Sequence, residues 1–320
     1  MNKIFKKILF IIIPVFIGFA LIWFYFKKFT PEQVDKIIYN FKNANYFWII
    51  ISLFFAALSH LSRAYRWQFL LKPLGYKPRY ANSVLAVLIA YFFNLVIPRS
   101  GEIARATTLT KYDNIPFEKA FGTVVTERIV DLLMLLLIII IAFFLQADLI
   151  ESFLFRDGFN PINKIIYLSV FLGLGLLFYY FIKKSKNPIA IKIKNFTDGL
   201  KDGVFSILKM DNKWQFIFHS FFIWGMYLLM FYVASFALPE TANLSINTVV
   251  VGFVAGTFAM IFFPGGLGGY PVFVASALSL YAIPEEAGTS LGLLIWTSQT
   301  IMILLLGALA FVILPIYNKK

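Results

Sequence analysis

Apolar runs of the length a lipid bilayer demands recur along this chain. An α-helix rises 1.5 Å per residue and a hydrocarbon core is about 30 Å thick, so roughly 20 apolar residues make one crossing. Ile8–Phe26, Tyr46–Leu71, Ile129–Ala147, Lys164–Ile182, Trp214–Leu238 and Gly288–Ile316 reach or approach that length. Composition agrees: 60% of the 320 residues are apolar and 14% charged, against roughly 45–50% and about 25% in soluble domains. Such a chain is an integral membrane protein, and disorder, which needs low hydrophobicity, is excluded. Lys3, Lys6 and Lys7 precede the first run, and Lys27 and Lys28 close it. A secretory signal has a shorter apolar region, about 7–15 residues, and a small-residue cleavage site, so the first run is expected to remain as a helix. The absence of cysteine excludes disulfides, thiolate metal sites and thiol nucleophiles.

Two further apolar segments are expected to enter the membrane and return. Asn82–Ile97 would rise only about 24 Å as a helix. Ser245–Phe263 is loosened by Gly252 and Gly256 and stopped by Pro264. Charge supports re-entry, because Lys and Arg concentrate in cytoplasmic loops. Eight lysines lie between Lys183 and Lys213, whereas Gln146–Asn163 has one basic residue, Arg156, beside Asp148, Glu151 and Asp157. The first loop is expected inside and the second outside. With both termini cytoplasmic, Asn82–Ile97 must return inward and Ser245–Phe263 outward. The external linker Lys27–Asn45, with four lysines, runs against the rule. The expected fold class is therefore an all-α integral membrane protein with six crossing helices and two re-entrant helical pairs, eight hydrophobic segments in a single domain, 1–320. Residues 1–147 and 164–316 form two halves, the second upside down relative to the first, an inverted-topology repeat of the kind common among secondary transporters. Each half carries an amphipathic linker: Pro31–Asn43 in the first, and Ile189–Met210, within the basic cytoplasmic loop 183–213, in the second.

Ionisable residues at membrane depth are costly and point to function; here nearly all fall in the first half. His60, Arg63 and Arg66 lie about one turn apart near the end of the second crossing. The arginines there either snorkel to head-group phosphates or form guanidinium forks that bind a phosphate bidentately. Asn94, Pro98, Arg99, Glu102 and Arg105 surround a helix start inside the first re-entrant pair, where unpaired N–H groups and the positive dipole end suit an anion. Glu102 and Arg105, three apart, also suit a local helix-face pair. Glu127 and Asp131 share one face, with Arg128 adjacent and fourteen apolar residues, Leu132–Leu145, following. Such carboxylates must face the interior and meet Arg63, Arg66, Arg99 or Arg105, either as a structural charge network or as a gated site. In the second half, Gly265, Gly266, Gly268 and Gly269 lie between Pro264 and Pro271, a break where φ > 0 or close backbone approach is available. An enzyme is not expected. His60 and His219 are the only histidines, so a histidine-based metal site is not expected, nor is a cofactor, and no extramembrane stretch reaches the size of a catalytic domain, about 50 residues or more.

These residues together resemble the lysylphosphatidylglycerol synthase transmembrane-region family, also called the flippase-like domain family. The resemblance rests on Arg63, Arg66-Trp67, Leu70-Leu71 and Gly75; on Asn94, Pro98, Gly101-Glu102 and Arg105; on Glu127-Arg128 and Asp131; and on Pro264-Gly265-Gly266-Leu267-Gly268. It covers about residues 10–316. Two positions depart from the family pattern: Pro271 replaces a common Glu, and Gln299 stands where many members have Arg. The soluble aminoacyl-transfer domain of the synthases is not present, so the resemblance implies lipid binding or translocation rather than lipid aminoacylation. The expected function is to move a phosphate-bearing lipid or lipid-linked metabolite between leaflets of the cell (inner) membrane. Arg63, Arg66, Asn94, Arg99, Glu102 and Arg105 are expected at the head group; Glu127, Arg128, Asp131, Gly265, Gly266 and Gly268 are expected to gate or to form the charge network. Membrane lipids are the expected partners and nucleic acid is not. A small-solute or ion transporter, or a non-transporting scaffold subunit, is the alternative.

Overall fold

The computed structural model describes residues 16–97, 100–146 and 207–319, with single positions 169, 173, 187 and 191 between them. The described residues are helical and contain no strand. In chain order the helices are α1 Phe16–Phe26, α2 Pro31–Asn43, α3 Tyr46–Leu71, α4 Tyr80–Val96, α5 Gly101–Asp113, α6 Phe117–Leu145, α7 Lys213–Ser235, α8 Ile246–Phe262, α9 Gly269–Ser279 and α10 Glu285–Tyr317. Among them, α3, α6, α7 and α10 are long and apolar enough to cross a bilayer. The first part of the expected span Ile8–Phe26, up to Val15, most of Lys164–Ile182, most of Ile189–Met210, Pro98 and Arg99 lie outside the described residues.

Local signals set the boundaries. Thr30 and Gln33 form a reciprocal capping box on α2, with Pro31 in its first turn, which satisfies N–H groups that a helix start leaves open. The side chain of Asn45 caps α3 through Phe47 N–H. The expected span Trp214–Leu238 ends earlier, because α7 stops at Ser235 and a turn at Pro239–Thr241 follows.

Contacts sort the helix ends into two groups. At the first end Lys28 reaches Glu285 (2.5 Å), Lys36 reaches Glu240 (3.4 Å), Asn45 N–H donates to Ala237 O (2.9 Å) and Gln146 Nε2 to Asn247 O (3.2 Å). At the second end Asn82 Nδ2 donates to Asp113 Oδ2 (2.9 Å), Asn318 Nδ2 donates to Asn82 Oδ1 (2.9 Å), and Arg79 meets Asn318. The start of α4 and the end of α5 therefore share the second end. The start of α8, beside Gln146, and the turn that follows α9 and leads to Glu285 share the first end. Each short helical pair returns to the end it left, and the two hairpins open in opposite directions.

Their tips meet. A β-carbon on Gly265 would lie 2.9 Å from Leu95 Cδ2, so the break after α8 rests on the last turn of α4. Gly265, Gly266 and Gly268 have φ of +57°, +73° and +74°, a region L side chains rarely enter. Trp296 Nε1 from α10 fixes the break by donating to Gly265 O at 2.7 Å, and Gly18 of α1 lies directly against Gly268. Toward the second end, α4 packs on α10: Leu85 and Ile89 join Ala310 and Leu314 in one buried cluster, and a β-carbon on Gly307 would lie 2.5 Å from Phe92 Cβ.

Gly307→Leu should therefore separate α4 from α10 and cost about 1–3 kcal/mol, as overpacking of a filled interface does. Gly225→Ala, which meets nothing within 4 Å, should leave thermal stability in detergent unchanged or higher; equal melting temperatures for the two variants would contradict this packing. Single cysteines replacing Lys36 and Lys119 should react with impermeant maleimide from opposite sides of sealed vesicles.

Candidate functional site: a buried arginine and carboxylate network

The charged residues expected at membrane depth converge where α3, α5, α6 and α7 meet. α6 begins at Phe117, not near Ile129 as the hydropathy of the expected span Ile129–Ala147 suggests. Glu118 and Lys119 in its first turn are exposed, whereas Glu127, Arg128 and Asp131, about three to four turns in, are paired with groups on α3 and α5, so the helix runs through into the apolar segment. Glu127 and Asp131 stand about 15 and 21 Å along the helix from its start, and both are buried.

Arg66 is completely buried, and each of its three guanidinium nitrogens has a partner. Nε donates to Glu127 Oε1 (3.3 Å), Nη1 to Ser220 Oγ (3.0 Å) and Nη2 to Asp131 Oδ1 (2.9 Å). Each nitrogen of Arg66, a residue expected at the head group, is thus engaged by a protein group. Arg63 donates from Nη1 to Asp131 Oδ2 (2.6 Å) and from Nη2 to Tyr227 OH (3.4 Å). The hydroxyls of Tyr227 and Tyr91 hydrogen-bond at 3.3 Å, and Tyr91 lies against the His60 ring at 4.5 Å between centroids. A polar column thus runs from the arginines along α3 into the apolar middle of the bundle.

Arg63 Nε has no hydrogen-bond partner among the described residues, and two further arginines complete the network. Arg105, 2% exposed, pairs through Nη1 with Glu127 Oε2 and stacks on Trp67 with Cζ 3.8 Å from the ring centroid. Its Nε and Nη2 have no hydrogen-bond partner among the described residues. Trp67 is held in turn by its Nε1, which donates to Thr123 Oγ1 at 2.8 Å. Arg128 bridges Glu102 (3.1 Å) and Asp131 (3.5 Å), and 41% of its side chain is exposed. The local Glu102–Arg105 pair that sequence spacing allows does not form: each residue pairs across to α6 instead. Asn94, expected at the head group, uses its side-chain oxygen to accept from Gly101 N–H at 2.8 Å, and so holds the hairpin closed at the start of α5. The structure brings together Arg63, Arg66, Glu102, Arg105, Glu127, Arg128 and Asp131. It places Gly265, Gly266 and Gly268 apart, at the tip contact.

A family model for the lysylphosphatidylglycerol synthase TM region matches residues 11–307, the whole network included. The chain belongs to this family. It is similar to a UPF0104 membrane protein of Methanocaldococcus jannaschii, 27% identical over 315 residues, covering 88% of this chain and 89% of that protein. It is also similar to a UPF0104 membrane protein of Pyrococcus horikoshii, 24% identical over 307 residues, with 88% and 89% covered. No solved structure matches. Both of its departures from the pattern of the lysylphosphatidylglycerol synthase transmembrane family have defined surroundings. Pro271 backs Gly292, whose added β-carbon would lie 2.6 Å from Pro271 Cα, and Gln299 Nε2 lies 2.9 Å from Met230 Sδ.

Glu127→Gln removes the one carboxylate shared by Arg66 and Arg105, leaving two buried guanidinium groups short of counter-charge. Breaking a buried pair costs about 3–5 kcal/mol, so this variant should unfold well below wild type in detergent. Arg128→Gln, at the exposed rim, should cost about 1 kcal/mol or less. Thermal denaturation of the two variants side by side checks the ranking.

Proposed function

We propose that this multi-pass membrane protein binds the phosphate of a membrane lipid, or of a lipid-linked metabolite, at Arg105 and Arg128 and moves it between leaflets of the cell membrane. The observation that carries this reading is a surplus of positive charge at membrane depth. Four arginines, Arg63, Arg66, Arg105 and Arg128, face three carboxylates, Glu102, Glu127 and Asp131. Burying an uncompensated cation in hydrocarbon is expensive, and a phosphate oxygen on the open N–H groups of Arg105 supplies both the charge and the hydrogen bonds. Arg128 bridges the network to an exposed surface, so it stands where a head group arrives. Glu127 and Glu102 hold these arginines when the lipid is absent, and arrival of the phosphate competes with them.

The two hairpin tips, Leu95 on Gly265, form the barrier that the head group must pass. In this reading the second end of the bundle, with Lys119 and Lys319, is cytoplasmic, as the basic residues of short loops favour. The two halves, 1–147 and 164–316, then act as oppositely oriented repeats around the barrier, each hairpin closing one side. Translocation between leaflets, without covalent change to the lipid, is the activity this arrangement suits.

Reconstitution tests it. In proteoliposomes loaded with fluorescent phospholipids of anionic and zwitterionic type, wild-type protein should expose inner-leaflet label to an external quencher far faster than empty vesicles. A charge-assisted hydrogen bond is worth about 1.5–3 kcal/mol, so Arg105→Gln should slow exchange roughly 10- to 100-fold. Exchange equal to empty vesicles for every lipid in the panel would refute translocation.

A further inference from the structure

The short hairpin leaves a gap elsewhere in the bundle. Between its start and Val96, α4 fills the space between α3 and α10, with His60 against Tyr91 on one side and Phe92 against Gly307 on the other. Beyond the tip no helix among the described residues takes its place between α3 and α10. A groove of about 500 Å³ runs there between the two long helices, lined by Ile49, Ile50 and Leu53 of α3 and by Leu294, Ile301 and Leu305 of α10. Thr297 and Ser298 are its polar lining on α10, and Ser298 Oγ is already donated to Ile295 O. Ile50, Ile301 and Leu305 are 65%, 51% and 61% exposed, so the groove is open along its outer side.

We infer that this groove is a specific seat for one acyl chain of a phosphate-bearing glycerolipid, the chain being held there while the head group occupies the arginine network. The inference rests on the functional reading above and adds the half of the substrate that reading leaves unassigned. Three observations select this occupant. The groove lies in membrane-crossing segments, where the surrounding medium is hydrocarbon. Its volume is over three times that of an apolar cavity of about 150 Å³ that accepts benzene, which on the same scale leaves room for roughly 20 carbons and far too little for another helix. It is also aligned with the polar column: Tyr46, Ile50 and Leu53 lie along the same face of α3 as His60, seven residues beyond Leu53, and Arg63 follows within one more turn. The His60 side chain is buried there and its Nε2 has no hydrogen-bond partner among the described residues. From Leu53 to Arg63 the helix rises about 15 Å, within reach of a single extended chain and its glycerol. The arginine surplus at that end complements a phosphate.

Photolabelling distinguishes a seat from ordinary lipid solvation. The probe is phosphatidic acid with a diazirine midway along one acyl chain, present as a minor component in phosphatidylcholine proteoliposomes, with adducts mapped by mass spectrometry. Adducts at residues 49–53 and 294–301 should exceed those at Leu309 and Val312, which are 54% and 60% exposed on α10, by fivefold or more. Excess unlabelled phosphatidic acid should remove that enrichment. Ser298→Trp should bring groove labelling down to the level at Leu309 and Val312, while Ser298→Ala keeps it; unchanged labelling at Leu309 and Val312 shows that the tryptophan variant still folds in the bilayer. Labelling of the groove no stronger than at Leu309 and Val312, or unaffected by Ser298→Trp, overturns the inference. A diacylglycerol bearing the same diazirine separates the two readings. Equal, saturable groove enrichment with that lipid supports the chain seat while removing the phosphate requirement, whereas loss of enrichment with both lipids overturns the seat and leaves leaflet exchange as the judge of translocation.

Discussion

One carboxylate, that of Glu127, accepts from two arginines carried by different helices, and the polar half of this bundle is arranged around it. In hydrocarbon neither Arg66 nor Arg105 is tolerable alone. Arg66 ties α3 to α6 and, through Ser220, to α7; Arg105 ties the returning helix α5 to the same point. Asp131, one turn further on, strengthens the tie of α3 to α6 by accepting from Arg63 and Arg66, both on α3. Trp67 covers one face of the Arg105 guanidinium, adding a cation–π contact where water is excluded. The charges therefore act as fasteners that hold a hairpin too short to cross the bilayer, and the same fasteners are the parts a competing anion would loosen.

Backbone economy governs the other half. Where the first hairpin is held by charge, the second is held by close approach: glycines at positive φ, Gly18 against Gly268, and Gly292 against Pro271. Irregular backbone at this depth survives only when buried in protein or lining a cavity. The break at Pro264–Gly266 meets that condition because Leu95 covers it and Trp296 takes the carbonyl of Gly265. Substituting bulk for either glycine-mediated contact and substituting charge in the first hairpin are thus physically different perturbations of one central contact.

Hydropathy and capping made much of the architecture legible. Tyr46–Leu71 and Pro31–Asn43 have the bounds that their patterns give, since Asn45, Thr30, Gln33 and Pro31 mark helix starts chemically. The start of α6 was hidden, because a hydropathy window treats Glu127 and Arg128 as an interruption, whereas the fold pairs them and lets the helix run through. Residue types and spacing marked Glu127 and Asp131 as interior groups. They could not show that Glu102 and Arg105 would ignore one another for partners on α6, since partner choice depends on how helices pack. Tyr91 and Tyr227 are illegible in sequence for a related reason: a tyrosine within an apolar run reads as bulk, and only the packing places its hydroxyl in a chain leading to Arg63. Two polar aromatics well inside apolar segments, away from the interface where tyrosines usually gather, were the available signal.

The wall on which α4 rests is supplied by α10. Gly307, Ala310, Leu314 and Asn318 contact residues more than two hundred positions earlier, so during synthesis the first hairpin emerges long before the helix that encloses it. A segment of 17 residues ending at an internal break cannot wait as a stable crossing of its own. It must remain near the head-group layer, or in the care of the insertion machinery, until α10 is made. Emergence of α10 is therefore the event that encloses the first hairpin, and the contacts that seal it wait for the more than two hundred residues made in between.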